Sequence, residues 1–235
     1  MFYGIEFDGK HSYKDFGLTI SNQNIGNPSK VKIQESIPFS NAKYDFSEIY
    51  GEQGYDERTL SYTFNVAYRE KAPDFYIYQT EILRWLMTPN RKTVLKDDRI
   101  PGYYFLAEVV TGPDNEFKFV GGSLTVNFTA YPFKIAELRE GNDIWDTFNF
   151  LLDYAQDTNF NVVGVLETNL YNAGVKKVYP KIIASSEMQI VLGNRTYTIP
   201  SGTTESYDFS LIPGENKIKI LGTGSISFEF YKELI

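Results

Sequence analysis

Polar and apolar residues alternate from Thr59 onward. Leu60, Tyr62, Phe64, Val66 and Tyr68 fall on one parity, and Thr59, Ser61, Thr63, Asn65 and Ala67 on the other. Side chains two apart share a face of a pleated strand, so this spacing predicts a strand with one apolar face. Ala72-Pro73-Asp74 then breaks the alternation, with Asp74 the expected helix N-cap. Phe75, Tyr78, Ile82 and Trp85-Leu86 recur every three or four residues, which predicts a helix over about 74–88 with one apolar stripe. Pro89 stops it, because the residue before a proline is pushed out of the α region. Strands are expected again at 93–96, 103–110 and 124–131, with turns at 97–102 and 112–115. The expectation is one helix laid on a β-sheet.

Before this stretch, residues 2–7 and 18–21 read as short strands around the turn Asp8-Gly9-Lys10. From 22 to 55 the pattern loosens and Asn, Ser, Pro and Gly recur, yet Tyr44, Phe46, Ile49, Tyr50 and Tyr55 lie within it. A loop of this length in a compact domain is a functional arm or lid, or it is disordered. The aromatics point to an arm that packs on something, such as a neighbouring subunit, or to a hairpin folded on its own domain. After Pro132 the chain turns polar, which places a domain boundary near 135 and a linker over 136–158. Ile144, Phe148, Leu151-Leu152 and Ala155 fit a short helix or an extended connection equally well. Beyond 159, strands are expected at 162–167, 181–185, 188–192, 195–199, 207–211, 217–221 and 226–231. Gly193-Asn194 suits a two-residue hairpin, and Pro200-Ser201-Gly202, Pro213-Gly214 and Gly222-Thr223-Gly224 supply the other turns. The expected division is a β domain with one helix and an arm over 1–135, and a β-sandwich over 159–235.

Composition narrows the function classes. A chain of 235 residues buries roughly 70% of its unfolded surface and needs no covalent staples. It has no cysteine, which removes disulfides, thiolate metal sites and a cysteine nucleophile. A net charge of −7 argues against a general nucleic-acid surface. No apolar run approaches the ~20 residues of a membrane span. Met1-Phe2-Tyr3-Gly4 lacks the features of a signal peptide, so synthesis and folding in cytoplasm are expected.

Candidate chemistry is thin. His11 is the only histidine, and no nucleophile or orienting acid beside it is evident in the sequence, so a turn residue bonding locally is the expectation. Asp97-Asp98 is the one adjacent acidic pair that invites a catalytic reading. It opens a turn closed by Pro101-Gly102, where Asp is favoured for bonding its own backbone. Arg91-Lys92 reads as a solvated helix end. No catalytic, metal or cofactor site is expected. A sugar-binding role for the sandwich would need an exposed aromatic platform, with Tyr171 or Tyr197 as candidates.

In order along the chain, a series of short motifs resembles the distal tail proteins of long, non-contractile-tailed phages of Gram-positive bacteria. They are Phe7-Asp8-Gly9 with His11-Ser12, Ser36-Ile37-Pro38, Tyr55 with Arg58, and Leu95-Lys96-Asp97-Asp98 before Pro101-Gly102-Tyr103-Tyr104. Trp145-Asp146 with Phe148, Tyr171-Asn172-Ala173-Gly174 before Pro180, Pro213-Gly214-Glu215-Asn216 and Gly222-Thr223-Gly224-Ser225-Ile226 continue the series. Phe39 departs from it, standing after Pro38 where glycine is expected. The resemblance implies a mainly β structural virion protein, not an enzyme, with no cofactor. Its first domain would associate with itself as a homohexameric ring, and its second would be a galectin-like or carbohydrate-module-like sandwich. The implied place is the tail tip, where the ring joins the tail tube to the tail-associated lysin or spike protein and holds receptor-binding or baseplate proteins. DNA would pass through the ring without specific recognition. The alternative is a cell-wall polysaccharide-binding adhesin acting through the sandwich.

Overall fold

The computed structural model describes residues 3–49, 51–67, 72–118, 121–144 and 148–235. The expectations for Phe2, Tyr50, Tyr68, Trp145 and Asp146 lie outside these residues. The chain divides into two compact units, Met1–Lys134 with Ile235, and Ile135–Leu234.

The first unit contains β1 (Ile5–Phe7), β2 (Lys10–His11), β3 (Thr19–Ile25), β4 (Gln34–Ser36), β5 (Lys43–Asp45), β6 (Arg58–Ala67), α1 (Ala72–Met87), β7 (Thr93–Asp97), β8 (Tyr103–Val109), β9 (Asp114–Lys118) and β10 (Gly121–Ala130). Its sheet runs β2-β1-β7-β8-β10-β6-β3, with β9 also on β10. The alternation in β6 and β10 sorts side chains as expected. Leu60, Tyr62 and Phe64 are buried opposite Phe128, Val126 and Leu124, and Val66 and Ala130 are buried on the same two strands. The helix starts two residues before the expected N-cap, so Pro73 occupies its first turn, where a missing N–H costs nothing. Its stripe packs as the spacing predicts, with Phe75, Ile82, Trp85 and Leu86 buried in the same core as β6 and β10. The Trp85 indole N–H donates to the Phe7 carbonyl at 2.8 Å.

The second unit contains β12 (Asn159–Asn172), β13 (Lys181–Ala184), β14 (Met188–Leu192), β15 (Arg195–Ile199), β16 (Gly202–Thr204), β17 (Gly214–Glu229) and β18 (Glu233–Leu234). Strand β11 (Lys134–Ala136) pairs with β18. Gly193 and Asn194 form the expected two-residue turn, with Leu192 opposite Arg195. The strands enclose a core that includes Val162, Ile182, Ile190, Phe209, Ile220 and Phe228.

Three expectations are corrected here. The strands expected at 217–221 and 226–231 are one continuous β17, and Gly222-Thr223-Gly224 is a bend inside it. β12 runs alongside for its whole length, from Asn172 opposite Gly214 to Asn159 opposite Ser227, so the backbone stays paired through the bend. Gly222 and Gly224 sit at φ 145° and 142°, a region that favours glycine, with Gly164 opposite Gly222. At the bend β17 exchanges its second neighbour, β14 along 218–221 for β13 along 226–229. Residues 207–211 are no strand. Phe209 and Leu211 are buried, but only Leu211 pairs, in a single bridge with Val178, and the Asn172 amide donates to the Leu211 carbonyl. The stretch 136–158 differs from a free polar linker and belongs to the second unit, with Ala136, Glu140 and Thr158 buried. The Glu140 N–H donates to the Phe230 carbonyl at 2.9 Å. Described residues of 144–155 form a turn at 150–152 and no helix.

Candidate functional site

The residues singled out for chemistry come together, but in a closed arrangement. His11, nearly fully buried, has its Nε2 3.1 Å from Asp98 Oδ2, a partner 87 positions away in sequence. Its Nδ1 accepts from the Tyr13 and Lys14 N–H groups at 3.1 and 3.2 Å. A general base needs a free lone pair within reach of a substrate proton, and this one is capped by backbone. Ser12, next in sequence, is fully buried with its Oγ accepting from the Ile5 N–H at 3.0 Å. Asp97 forms the expected turn, accepting the Arg99 N–H at 2.9 Å, and also accepts the Tyr62 hydroxyl at 2.8 Å. Burial, and then the Asp97 charge, pushes the Tyr62 phenol well above its ordinary range, so it stays a donor. These groups fasten β1, β6 and β7 together. Lys92, read as solvated, instead reaches both Glu57 and Glu108. Among the described residues no three His, Asp or Glu side chains converge as metal ligands, and no helix is long and apolar enough to cross a membrane.

The arm is ordered. Its two legs leave the sheet side by side: Lys30 bridges to Tyr55, and the Val31 N–H donates to the Gly54 carbonyl at 2.9 Å. Arg58 clamps the root, donating from Nε to the Gly26 carbonyl at 2.7 Å and from Nη1 to the Pro132 carbonyl at 3.1 Å. Its guanidinium lies 5.3 Å from the centre of the Phe105 ring. Sequence reasoning noted Arg58 only as part of a motif, because its partners lie 32 and 74 positions away. At the far end β4 and β5 pair only with each other, Gln34 opposite Asp45 and Ser36 opposite Lys43. The Ser47 hydroxyl and N–H, and after them Lys32, hold the Asp45 carboxyl well below the usual carboxylate range. At the tip, Pro38-Phe39 turns the chain, the Ser40 N–H donating to the Ile37 carbonyl at 3.2 Å. Phe39 occupies the left-handed region at φ 59°, where glycine was expected, and its side chain is fully exposed. Ile33, Tyr44, Phe46 and Ile49 are exposed as well. On α1 of the same unit, Tyr76 and Ile77 also face solvent.

The second unit presents two surfaces. One is a fixed turn at 149–153. The Asn149 side chain accepts the Leu151 N–H at 2.9 Å, and Asp153 Oδ2 accepts the Asn149 N–H at 2.7 Å. Lys232 ion-pairs with Asp153 and donates to the Leu152 carbonyl. The turn holds Phe150 and Leu151 in solvent, 87% and 92% exposed. Below it, burial raises the Glu140 pKa, against the pull of Lys232 and the Gln156 amide. The other surface is a depression of about 600 Å³ walled by Tyr154 and Tyr171. These rings stack with centroids 4.3 Å apart and planes at 21°. Tyr197, the other candidate, instead packs edge-on against Phe209 with centroids 5.3 Å apart. Tyr154 was missed, since nothing in its local pattern marks it as the neighbour of Tyr171.

The fold therefore defines a class: a mainly β protein of two units, with one helix among the described residues and a hairpin arm. No family model matches the chain, and no curated protein matches its sequence. Among solved structures it is similar to the SPP1 Dit (gp 19.1) protein, described as a paradigm of hub adsorption apparatus in Gram-positive infecting phages. That likeness has a TM-score of 0.71 at 13% identity and covers 100% of both chains. At this identity what is shared is the fold, and it is the fold the sequence resemblance implied. A phage p2 baseplate structure in its activated conformation with Sr is similar at a TM-score of 0.41 and 8% identity, covering 98% of this chain and 97% of that one.

Proposed function

We propose that the chain is a structural protein of a phage tail tip. It acts as a ring-shaped hub that joins the tail tube to the tail-associated lysin or spike and to receptor-binding proteins during host adsorption. The observation that carries this reading is the arm, a hydrogen-bonded hairpin that keeps Phe39, Tyr44 and Ile49 in solvent on the isolated chain. Large exposed apolar clusters mark interaction sites. A ring needs a heterologous contact, one patch docking on a different patch of the next copy. The arm is one such patch, and the Tyr76–Ile77 face of α1 suits as the other. The full-length likeness to a hub adsorption protein supports the same reading. A net charge of −7 suits a ring that lets DNA through without holding it. The fixed Phe150-Leu151 turn offers a second contact, for a partner protein with an apolar socket.

Light scattering on the purified chain tests the assembly. Six copies of a 27.0 kDa chain give about 162 kDa. A monomer persisting at high concentration would count against ring formation by this chain alone. A second reading, a cell-wall polysaccharide adhesin acting through the second unit, is favoured by one feature, the tyrosine-walled depression.

A further inference from the structure

We infer that this depression is a binding site for a neutral oligosaccharide, which gives the adhesin reading a specific place and adds a function to the hub. Its wall is preorganised. Gln156 locks the segment carrying Tyr154 against β12 at two points, its Nε2 donating to the Tyr171 carbonyl at 2.7 Å and its Oε1 accepting the Tyr171 N–H at 2.8 Å. Tyr171 stacks on Tyr154, which remains 51% exposed, and both rings line the depression. Around it stand Asp157, Thr168, Asn169 and Glu215, with Phe160 below. Small-ligand sites commonly enclose roughly 300–1,000 Å³ and combine apolar walls with a few convergent polar groups.

The chemistry on the lining fits a pyranose. Such a ring has an apolar C–H face, which an aromatic ring covers, and an edge of vicinal hydroxyls. Carboxylates and amides pair with adjacent hydroxyls because each offers two polar atoms on one planar group. A second depression of about 430 Å³ shares Thr168 and Asn169 with the first and extends towards Gly193. Two depressions that share lining residues suit a short oligomer and not only a single sugar. The charge decides between polymer classes. No Lys or Arg lines the first depression, while Asp157 and Glu215 do. In the second, Lys219 is paired with Glu167 at 3.1 Å and Lys217 also lines the wall. In the first depression, an anionic, phosphate-bearing polymer would meet these two carboxylates with no cation on the lining to offset them.

The test is calorimetric titration of the full chain with neutral tetramers of glucose, galactose and N-acetylglucosamine, and with a poly(glycerol phosphate) as the anionic probe. At least one neutral tetramer binds, and the anionic polymer does not. Tyr154→Ala weakens that binding roughly ten-fold or more, Asn169→Ala weakens it, and Tyr154→Phe keeps it. Tyr207→Ala, on another exposed tyrosine, leaves it unchanged. Circular dichroism checks that each variant is folded. No binding of any neutral tetramer, a preference for the anionic polymer, or binding indifferent to Tyr154→Ala overturns the site. Light scattering on the same samples keeps the two readings apart: a monomer that binds sugar defeats the hub alone, and an assembled ring that binds none defeats this site alone.

Discussion

Phe39 shows how much one residue can carry. An L-residue in the left-handed region costs about 1–2 kcal/mol, and this one spends that strain on holding an aromatic ring in water. Such strain persists where the surroundings impose it and often coincides with function. Replacing Phe39 with Gly relieves the backbone while removing the ring. The expected outcome is an isolated chain at least as stable to urea, together with weaker self-association by light scattering. Equal loss of both would make Phe39 a folding residue. A second expectation concerns Glu140, which faces Lys232 and Gln156 with Asp153 nearby. Its carboxyl is buried and its pKa lies above the ordinary 4.5. A group that holds its proton more tightly when folded stabilises the fold as pH falls towards its unfolded pKa, and that contribution is lost as pH rises through its folded pKa. In Glu140→Gln this dependence disappears, so the difference in urea midpoint between variant and parent should shift in the variant's favour from pH 5 to pH 7. At this scale the sequence was half legible. Asp97 reads as a turn residue because an Asx turn is local, whereas the His11–Asp98 contact spans 87 positions and no local pattern announces it.

Elements were more legible where periodicity alone decides them. The stripe Phe75, Tyr78, Ile82, Trp85 and Leu86 predicts the buried face of α1, and Leu86 is 1% exposed. Leu86→Ala should cost about 2–5 kcal/mol through lost burial and a residual cavity, read as a fall in urea midpoint. A loss below about half a kilocalorie would put that stripe in solvent, against the packing described. β17 was misread for the converse reason. Gly-Thr-Gly is a turn by local chemistry, yet pairing with Val162, Val163 and Gly164 of β12, far earlier in the chain, carries the strand through it. The bend depends on the absence of side chains: a Cβ at Gly224 would come 2.4 Å from Ser185 Oγ at an unfavourable φ. Gly224→Ala should therefore lower the thermal midpoint of the chain, while Gly193→Ala, with open space around it, should lower it less. Residues 207–211 failed as a strand because alternation reports which side chains are buried, and Phe209 and Leu211 are, but not whether the backbone has a partner.

At the scale of the whole molecule, composition alone left only a cysteine-free, acidic, aromatic-rich protein with two β regions, and the order of weak motifs supplied the rest. The arm was legible as aromatics without periodicity, and the structure shows why periodicity was missing. Its legs pair irregularly through Lys30–Tyr55 and Val31–Gly54, and only three residues on each side form a ladder. This anatomy fixes where the decisive deletion belongs. A cut as wide as 24–47 would remove Asn24 and Ile25, which pair with Ser61 and Leu60 in the sheet, and would confuse folding with assembly. The hairpin has a narrower neck, where the Phe46 N–H donates to the Ile33 carbonyl at 2.8 Å. Removing 34–45 and joining Ile33 to Phe46 through two glycines leaves the legs, the Arg58 clamp and the sheet in place. Obligate interfaces commonly bury roughly 2,000 Å² or more, and losing the hairpin tip with Phe39 and Tyr44 removes the arm's outermost apolar surface. The shortened chain should unfold at nearly the parental urea midpoint, yet its mass by light scattering should move from about 162 kDa towards 27.0 kDa. A shortened chain that still runs at the mass of six copies would remove the arm from ring closure and leave the α1 face to find another partner.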